Sequence, residues 1–153
     1  MKDRISVFNR LILTVFRANG ALLEAGDALV RDIGLTSARW QVLGALAEHG
    51  TPRTVSQIAR TMGLTRQSVQ RVADDLRRAG LVEFRLNPDH ARAKLMAMTA
   101  PGEAAYREAL RRQRPWAAAL ADGLTSEEVA AADRVLAAIA DRLDPGPLSE
   151  TSG

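Results

Sequence analysis

A chain of 153 residues with 46% hydrophobic content has the length for one domain, or one domain with an oligomerisation arm, and enough apolar side chain to bury a core. The absence of cysteine excludes thiol redox sensing, thiolate catalysis and cysteine-based zinc sites, and His49 and His90 lack metal-ligand spacing, so neither a metal nor a cofactor is expected. A net charge of +3 conceals an uneven distribution, because residues 51–98 carry nine basic side chains against four acidic ones, a surface suited to displacing counterions from phosphates.

Abundant alanine and leucine with 4% aromatic residues predict a mainly helical chain. The first helix is expected over 5–32, with Ile5, Phe8, Ile12, Val15 and Phe16 on one face and Gly20 and Gly26 weakening it. Its apolar run, residues 11–16 between Arg10 and Arg17, is too short for a membrane span or a typical signal-peptide core, which predicts a soluble cytoplasmic protein with no membrane partner. Thr36 opens a second helix, 36–48. Thr54-Val55-Ser56-Gln57 is a capping-box sequence that starts a third, 55–62. A fourth helix follows at 66–79. Two strand-like arms, 81–86 and 94–98, flank the turn residues Asn87-Pro88-Asp89. A fifth helix, 100–122, contains Pro115, which should kink it. The capping-box sequence Thr125-Ser126-Glu127-Glu128 starts a sixth, 126–143, with Val129, Leu136, Ile139 and Leu143 on one face. Residues 147–153 read as a flexible tail.

Residues 55–74 have the pattern of a helix-turn-helix. Ile58, Met62, Leu64, Val69 and Val72 fall where two short helices would face each other, with Ala59 at the crossing and Gly63 in the turn. A helical hairpin buried in a core would share the apolar pattern, but not the side chains left facing outward. Thr65, Arg66, Gln67, Ser68, Gln70 and Arg71 occupy the start of the second helix, the part that meets base edges when such a helix lies in the major groove of double-stranded DNA. The hairpin that follows is then a wing, whose Arg92 and Lys94 can reach a groove or phosphates. Enzymatic constellations are missing: the adjacent acids Asp74-Asp75 and Glu127-Glu128 point about 100° apart on a helix, and there is no Gly-rich phosphate loop or nucleophile elbow.

The chain resembles the MarR family of bacterial transcriptional regulators along nearly its whole length. The resemblance rests on residues 35–43 (Leu35-Thr36-Ser37-Ala38-Arg39-Trp40-Gln41-Val42-Leu43), the helix-turn-helix, Arg78-Ala79-Gly80-Leu81-Val82, and residues 87–95 of the wing leading to Thr99 and Gly102. It implies a winged helix-turn-helix over 35–99, flanked by N- and C-terminal dimerisation helices in 1–34 and 100–146. It further implies a homodimer on a pseudo-palindromic operator, acting as a repressor, and release by a small ligand. Where the family has Asp-Arg-Arg in the wing, this chain reads His90-Ala91-Arg92, so Arg92 matches the retained arginine that enters the minor groove. The positions that would line an effector pocket are Phe16, Asn19, Arg39 and Trp40, a set suited to a small aromatic acid or phenol, although a tryptophan at position 40 also reads as core. Independently of the family, the apolar stripes of the first and last helices flank a reader that needs neither for its own core, and pairing them across a two-fold axis would bury both. The rival reading is an architectural DNA-binding protein with little sequence choice and no ligand. The hydrogen-bonding Gln67, Ser68 and Gln70 favour base reading.

Overall fold

The computed structural model describes residues 3–144. In chain order it has α1 (Arg4–Val30), a 3-10 turn (Arg31–Ile33), α2 (Ser37–His49), α3 (Val55–Met62), α4 (Arg66–Arg78), β1 (Val82–Arg85), β2 (Leu95–Met98), α5 (Ala100–Leu120) and α6 (Ser126–Leu143). All the expected helices and the hairpin form, with ends within about two residues of the expected ones, the usual uncertainty of helix limits. Pro115 lies inside α5, which continues to Leu120. The chain separates into two compact units, one ending at Arg114 and one beginning at Pro115. The tail expected at 147–153 lies outside the described residues.

The helix starts follow from hydroxyl caps. Thr36 Oγ1 accepts the Arg39 N–H, and Thr54 and Thr125 each form a complete capping box, with Gln57 and Glu128 returning a hydrogen bond to the cap's own N–H. In the second box the backbone N–H of Thr125 holds the Glu128 carboxyl below the usual carboxylate range. Helix ends follow from glycine. At α3, Gly63 adopts φ 64°, its N–H bonds Arg60 O at 3.3 Å and the Leu64 N–H bonds Ala59 O at 2.9 Å, the paired closure of a Schellman motif. The same pattern ends α4, with Gly80 bonding Arg77 O and Leu81 bonding Leu76 O, both at 2.9 Å.

The core of the first unit lies where α2, α3, α4 and the hairpin meet, on the buried side chains of Val42, Leu43, Leu46, Ile58, Val69, Leu76, Val82 and Met96, joined by Val30 at the end of α1 and Ala109 of α5. Ala59 is buried at the α3–α4 crossing and Met62 and Val72 pack at its edge, as expected. Leu64 departs from the expected pattern: it is half exposed, because it stands just past the glycine that closes α3, in the turn rather than on the facing surface of either helix. The strands pair antiparallel in the register Val82↔Met98, Glu83↔Ala97, Phe84↔Met96 and Arg85↔Leu95. A single-residue bridge that sequence periodicity gave no sign of joins Arg53 to Met96 through two backbone hydrogen bonds of 3.1 and 2.7 Å, which steadies the outer edge of β2.

α1 is tied to this lobe by polar contacts. The Asp27 carboxylate accepts the Ser37 N–H at 2.6 Å and Ser37 Oγ donates to Leu23 O at 2.8 Å, with Gly26 leaving room for that hydroxyl. Arg112 of α5 donates to Leu29 O at the end of α1, to Asp32 and to Glu108. Arg111 and Arg112 together bring the Glu108 carboxyl down to about 2, and Arg112 lowers that of Asp32. The stripe of α1 stays open in the single chain: Ile5, Phe8 and Phe16 are exposed, while Ile12 and Val15 are half buried. On α6, Val129, Leu136 and Leu143 are exposed, and Ile139 is half buried.

The tightest backbone approach lies between α5 and the start of the hairpin. Thr99 Oγ1 donates to Gly80 O at 2.6 Å and accepts the Gly102 N–H at 3.2 Å, while the Thr99 N–H bonds Leu81 O at 3.1 Å. A Cβ on Gly102 would overlap the Leu81 carbonyl oxygen and lie 2.9 Å from its carbon, a backbone group that cannot rotate aside. Gly102→Ala is therefore expected to lose ~1–3 kcal/mol of stability, the usual cost of overpacking. Urea unfolding checks this, since unchanged stability would mean that α5 can shift freely.

Candidate nucleic-acid interface

Two grooves flank the exposed face of α4. One, of about 610 Å³, is lined by Arg66, Gln67, Gln70, Arg71, Asp74 and Arg78 of that helix. The other, of about 560 Å³, runs between α4 and the wing, with Arg66, Gln70, Asp74 and Arg77 on one wall, Arg92 and Lys94 on the other, and Thr54 to Ser56 at the α3 start on its margin. Arg66, Gln70 and Asp74 line both, so these residues, four apart along the helix, form the ridge between them.

The expected reader residues divide by what their polar atoms already hold. Arg66, Gln67 and Arg71 are exposed, and their side chains make no hydrogen bond or ion pair among the described residues. Thr65 and Ser68 are exposed too, but their hydroxyls serve the helix start. Thr65 Oγ1 accepts the Ser68 N–H and donates to Ser68 Oγ, both at 3.1 Å, and Ser68 Oγ donates to Thr65 O at 2.9 Å. Both hydroxyl protons can be engaged inside the cap, so these two residues fix where α4 begins. Gln70 is half buried, and its amide nitrogen donates to Asp74 at 3.0 Å.

In the wing, Asn87 Oδ1 accepts the Asp89 N–H at 3.0 Å and the His90 N–H bonds Asn87 O at 3.2 Å, which makes the expected turn. Arg92 and Lys94 are exposed and face the groove toward α4. No ion pair among the described residues involves Asp89, His90 or Arg92; the loop is held by its backbone and by Asn87. At the strand base, Arg85 pairs with Glu83 at 2.6 Å.

Among the polar groove residues, sequence reasoning missed Ser56, Asp74, Arg77, Arg78 and Glu83. Ser56 lies inside the Thr54–Gln57 capping box and Arg77 lies eleven residues past Arg66 on the same helix, so the capping pattern and helical periodicity carried both signals. Asp74 carried none, because an acid beside Asp75 reads as solvated helix surface.

The proposed effector residues are dispersed over several surroundings. Phe16 is 70% exposed and Asn19 is exposed on α1. Trp40 packs against the hydrophobic core. Arg39 donates to Gly34 O at 3.2 Å and lies 3.7 Å from Asp75 of α4, which also binds Arg78. None of the four lines either groove beside α4. Among the described residues no group of three or more His, Asp or Glu is placed to hold a metal ion, and no helix is long and apolar enough to cross a membrane.

Comparison with known proteins gives this geometry a lineage. The model of the MarR family matches residues 33–93, which run from the end of the 3-10 turn before α2 into the wing. An uncharacterised protein of Mycobacterium tuberculosis is 43% identical over 102 residues, 67% of this chain and 68% of that relative. Among solved structures, the transcriptional regulator MOSR of M. tuberculosis, in complex with DNA, is similar with a TM-score of 0.74 at 27% identity, over 86% of this chain and 93% of that one. CouR from Rhodococcus jostii, bound to p-coumaroyl-CoA, is similar with a TM-score of 0.76 at 26% identity, over 85% of this chain and 91% of that one. With its helix-turn-helix followed by a two-stranded wing, and with these relatives, the chain belongs to the MarR family of winged-helix transcriptional regulators.

Proposed function

We propose that the protein is a cytoplasmic, sequence-specific transcriptional repressor that binds a pseudo-palindromic operator as a homodimer and releases it when a small aromatic ligand binds. The observation that carries the DNA-reading part is the exposed face of α4, where the side chains of Arg66, Gln67 and Arg71 have no partner among the described residues and stand beside a wing bearing Arg92 and Lys94. Side chains whose donors and acceptors are all satisfied in the free protein gain little from a base edge. Unpaired arginine and glutamine match guanine and adenine edges in the major groove.

In this reading Gln67 and Arg71 choose the sequence, whereas Arg92, Lys94 and the α3 start hold the duplex. Gln67→Ala and Arg71→Ala should relax base preference at definite positions and cost ~1–3 kcal/mol per half-site. Arg92→Ala and Lys94→Ala should weaken all sequences more evenly and reduce the salt dependence. Binding to a panel of point-substituted operators decides between them. Four variants that all act evenly would instead indicate an architectural protein that holds DNA with little sequence choice.

Dimerisation rests on the open stripes of α1 and α6. Paired across a two-fold axis they would bury Ile5, Phe8, Phe16, Val129, Leu136 and Leu143, and would set two recognition helices about 34–36 Å apart, one turn of DNA. Light scattering should return a dimer at micromolar concentration, and removal of residues 124–153 should abolish both dimer and tight operator binding. A full-length monomer is the contrary result.

Ligand control is supported by CouR having been captured with an aromatic acyl thioester, and by the lack of cysteine for a thiol switch. Release requires a ligand that prefers the form with wrongly spaced recognition helices, by several kcal/mol. By reciprocity the ligand must bind more weakly when operator is present. Tryptophan fluorescence during titration with aromatic acids and phenols, with and without operator, should show that difference; equal affinities would uncouple occupancy from DNA.

A further inference from the structure

An acid on a surface built to meet phosphates calls for an explanation. Asp74 stands on the ridge of α4 between the two grooves, among Arg66, Arg71, Arg77 and Arg78, and yet makes no ion pair with any described residue. Its neighbour Asp75 takes the cations instead, binding Arg78 and lying near Arg39. Asp74 holds Gln70, whose Nε2 donates to a carboxylate oxygen at 3.0 Å.

We propose that Asp74 is a specificity-determining positioning residue, whose carboxylate fixes the Gln70 amide in the orientation that reads adenine. The inference rests on the sequence-specific reading given above. A carboxylate only accepts hydrogen bonds, so the Gln70 NH₂ must face Asp74, which fixes the orientation of the amide. With one amide hydrogen engaged, Gln70 still offers its carbonyl oxygen and its second N–H. Adenine presents a matching N6–H donor and N7 acceptor in the major groove, whereas guanine presents two acceptors there, which cannot satisfy the glutamine oxygen. A side chain held in its binding orientation also loses less rotamer freedom on binding. The carboxylate charge opposes every phosphate nearby whatever the sequence, so Asp74 trades general affinity for discrimination.

An i,i+4 pair that merely stabilised α4 would show a different signature. The full-length protein is first used to select binding sites from randomised duplex DNA. Binding is then measured with each of the four bases at every site position, for the parent, Gln70→Ala, Asp74→Ala, Asp74→Asn and the double alanine variant, with melting temperatures recorded alongside. Gln70→Ala should lower an adenine preference by roughly 10-fold at one position in each half-site, the scale of a bidentate base contact. Asp74→Ala should lower the same preference at the same position, while binding random-sequence duplex more tightly than the parent. The double variant should lose no more than either single one. Asp74→Asn, which keeps an acceptor oxygen, should retain part of the preference. The proposal is overturned if Asp74→Ala leaves that preference intact, weakens all sequences evenly in step with a lower melting temperature, or adds to Gln70→Ala. It also fails alone if Gln67 and Arg71 govern base choice and Gln70 governs none. A parent protein with no preference at any position would defeat the sequence-specific reading together with it.

Discussion

The way α4 ends constrains everything that faces DNA. Gly80 and Leu81 must close the helix, enter β1 and receive α5 within a few residues, and the Thr99 hydroxyl joins these demands by donating to Gly80 O while accepting the Gly102 N–H. The absent side chain at Gly102 lets the Leu81 carbonyl come against the first turn of α5. Recognition helix, wing and long helix are therefore held by one short hydrogen-bonded junction. A shift there would move the α4 ridge relative to Arg92 and Lys94, and so change the width of the groove they line together.

The polar chemistry of the lobe follows a division between residues that build the reader and residues left free to read. Thr54, Thr65 and Ser68 spend their hydroxyls on helix starts, where unsatisfied N–H groups would otherwise cost stability. Arg85, Arg78 and Arg112 are committed to carboxylates. Exposed ion pairs of this kind add little stability each. Among the described residues Arg66, Arg71, Arg77, Arg92 and Lys94 make no such pairs, and Arg66, Arg77, Arg92 and Lys94 line the groove between α4 and the wing. Basic composition alone could not show which charges remain available.

Much of this was legible in the sequence because local rules and tertiary demands agree. The hydroxyls of Thr36, Thr54 and Thr125 cap the helices they were expected to open, and Ile58, Ala59 and Val69 are buried at the crossing their spacing predicts. The misreadings have physical causes. Leu64 fits the apolar spacing of a packing residue, but that spacing says nothing of which way a side chain leaves a glycine turn. The Arg53–Met96 bridge involves one residue of a loop, too short for any period. Asp74 looked like ordinary solvated surface because charge counts ignore position on a ridge. The effector positions do not belong with these: they rest on the resemblance alone, with Trp40 partly buried against the core and Phe16 open.

The attachment of α1 suggests how a change in that arm would be felt by the reader. Asp27 and Leu23 hold the first residue of α2, and Arg112 grips Leu29 O and Asp32 at the other side of the same helix end. α2 in turn packs its buried Val42, Leu43 and Leu46 into the core that carries α4, and Arg39 lies beside Asp75 of the recognition helix. Close-packed interiors transmit displacement rather than absorb it. Polar contacts with fixed geometry at both sides of the α1 end leave little slack, so a tilt of α1 has to carry α2 with it or break these bonds. Rigid coupling of that kind would turn a small movement in an arm into a changed position of the α4 ridge, without any rearrangement inside the helix-turn-helix itself.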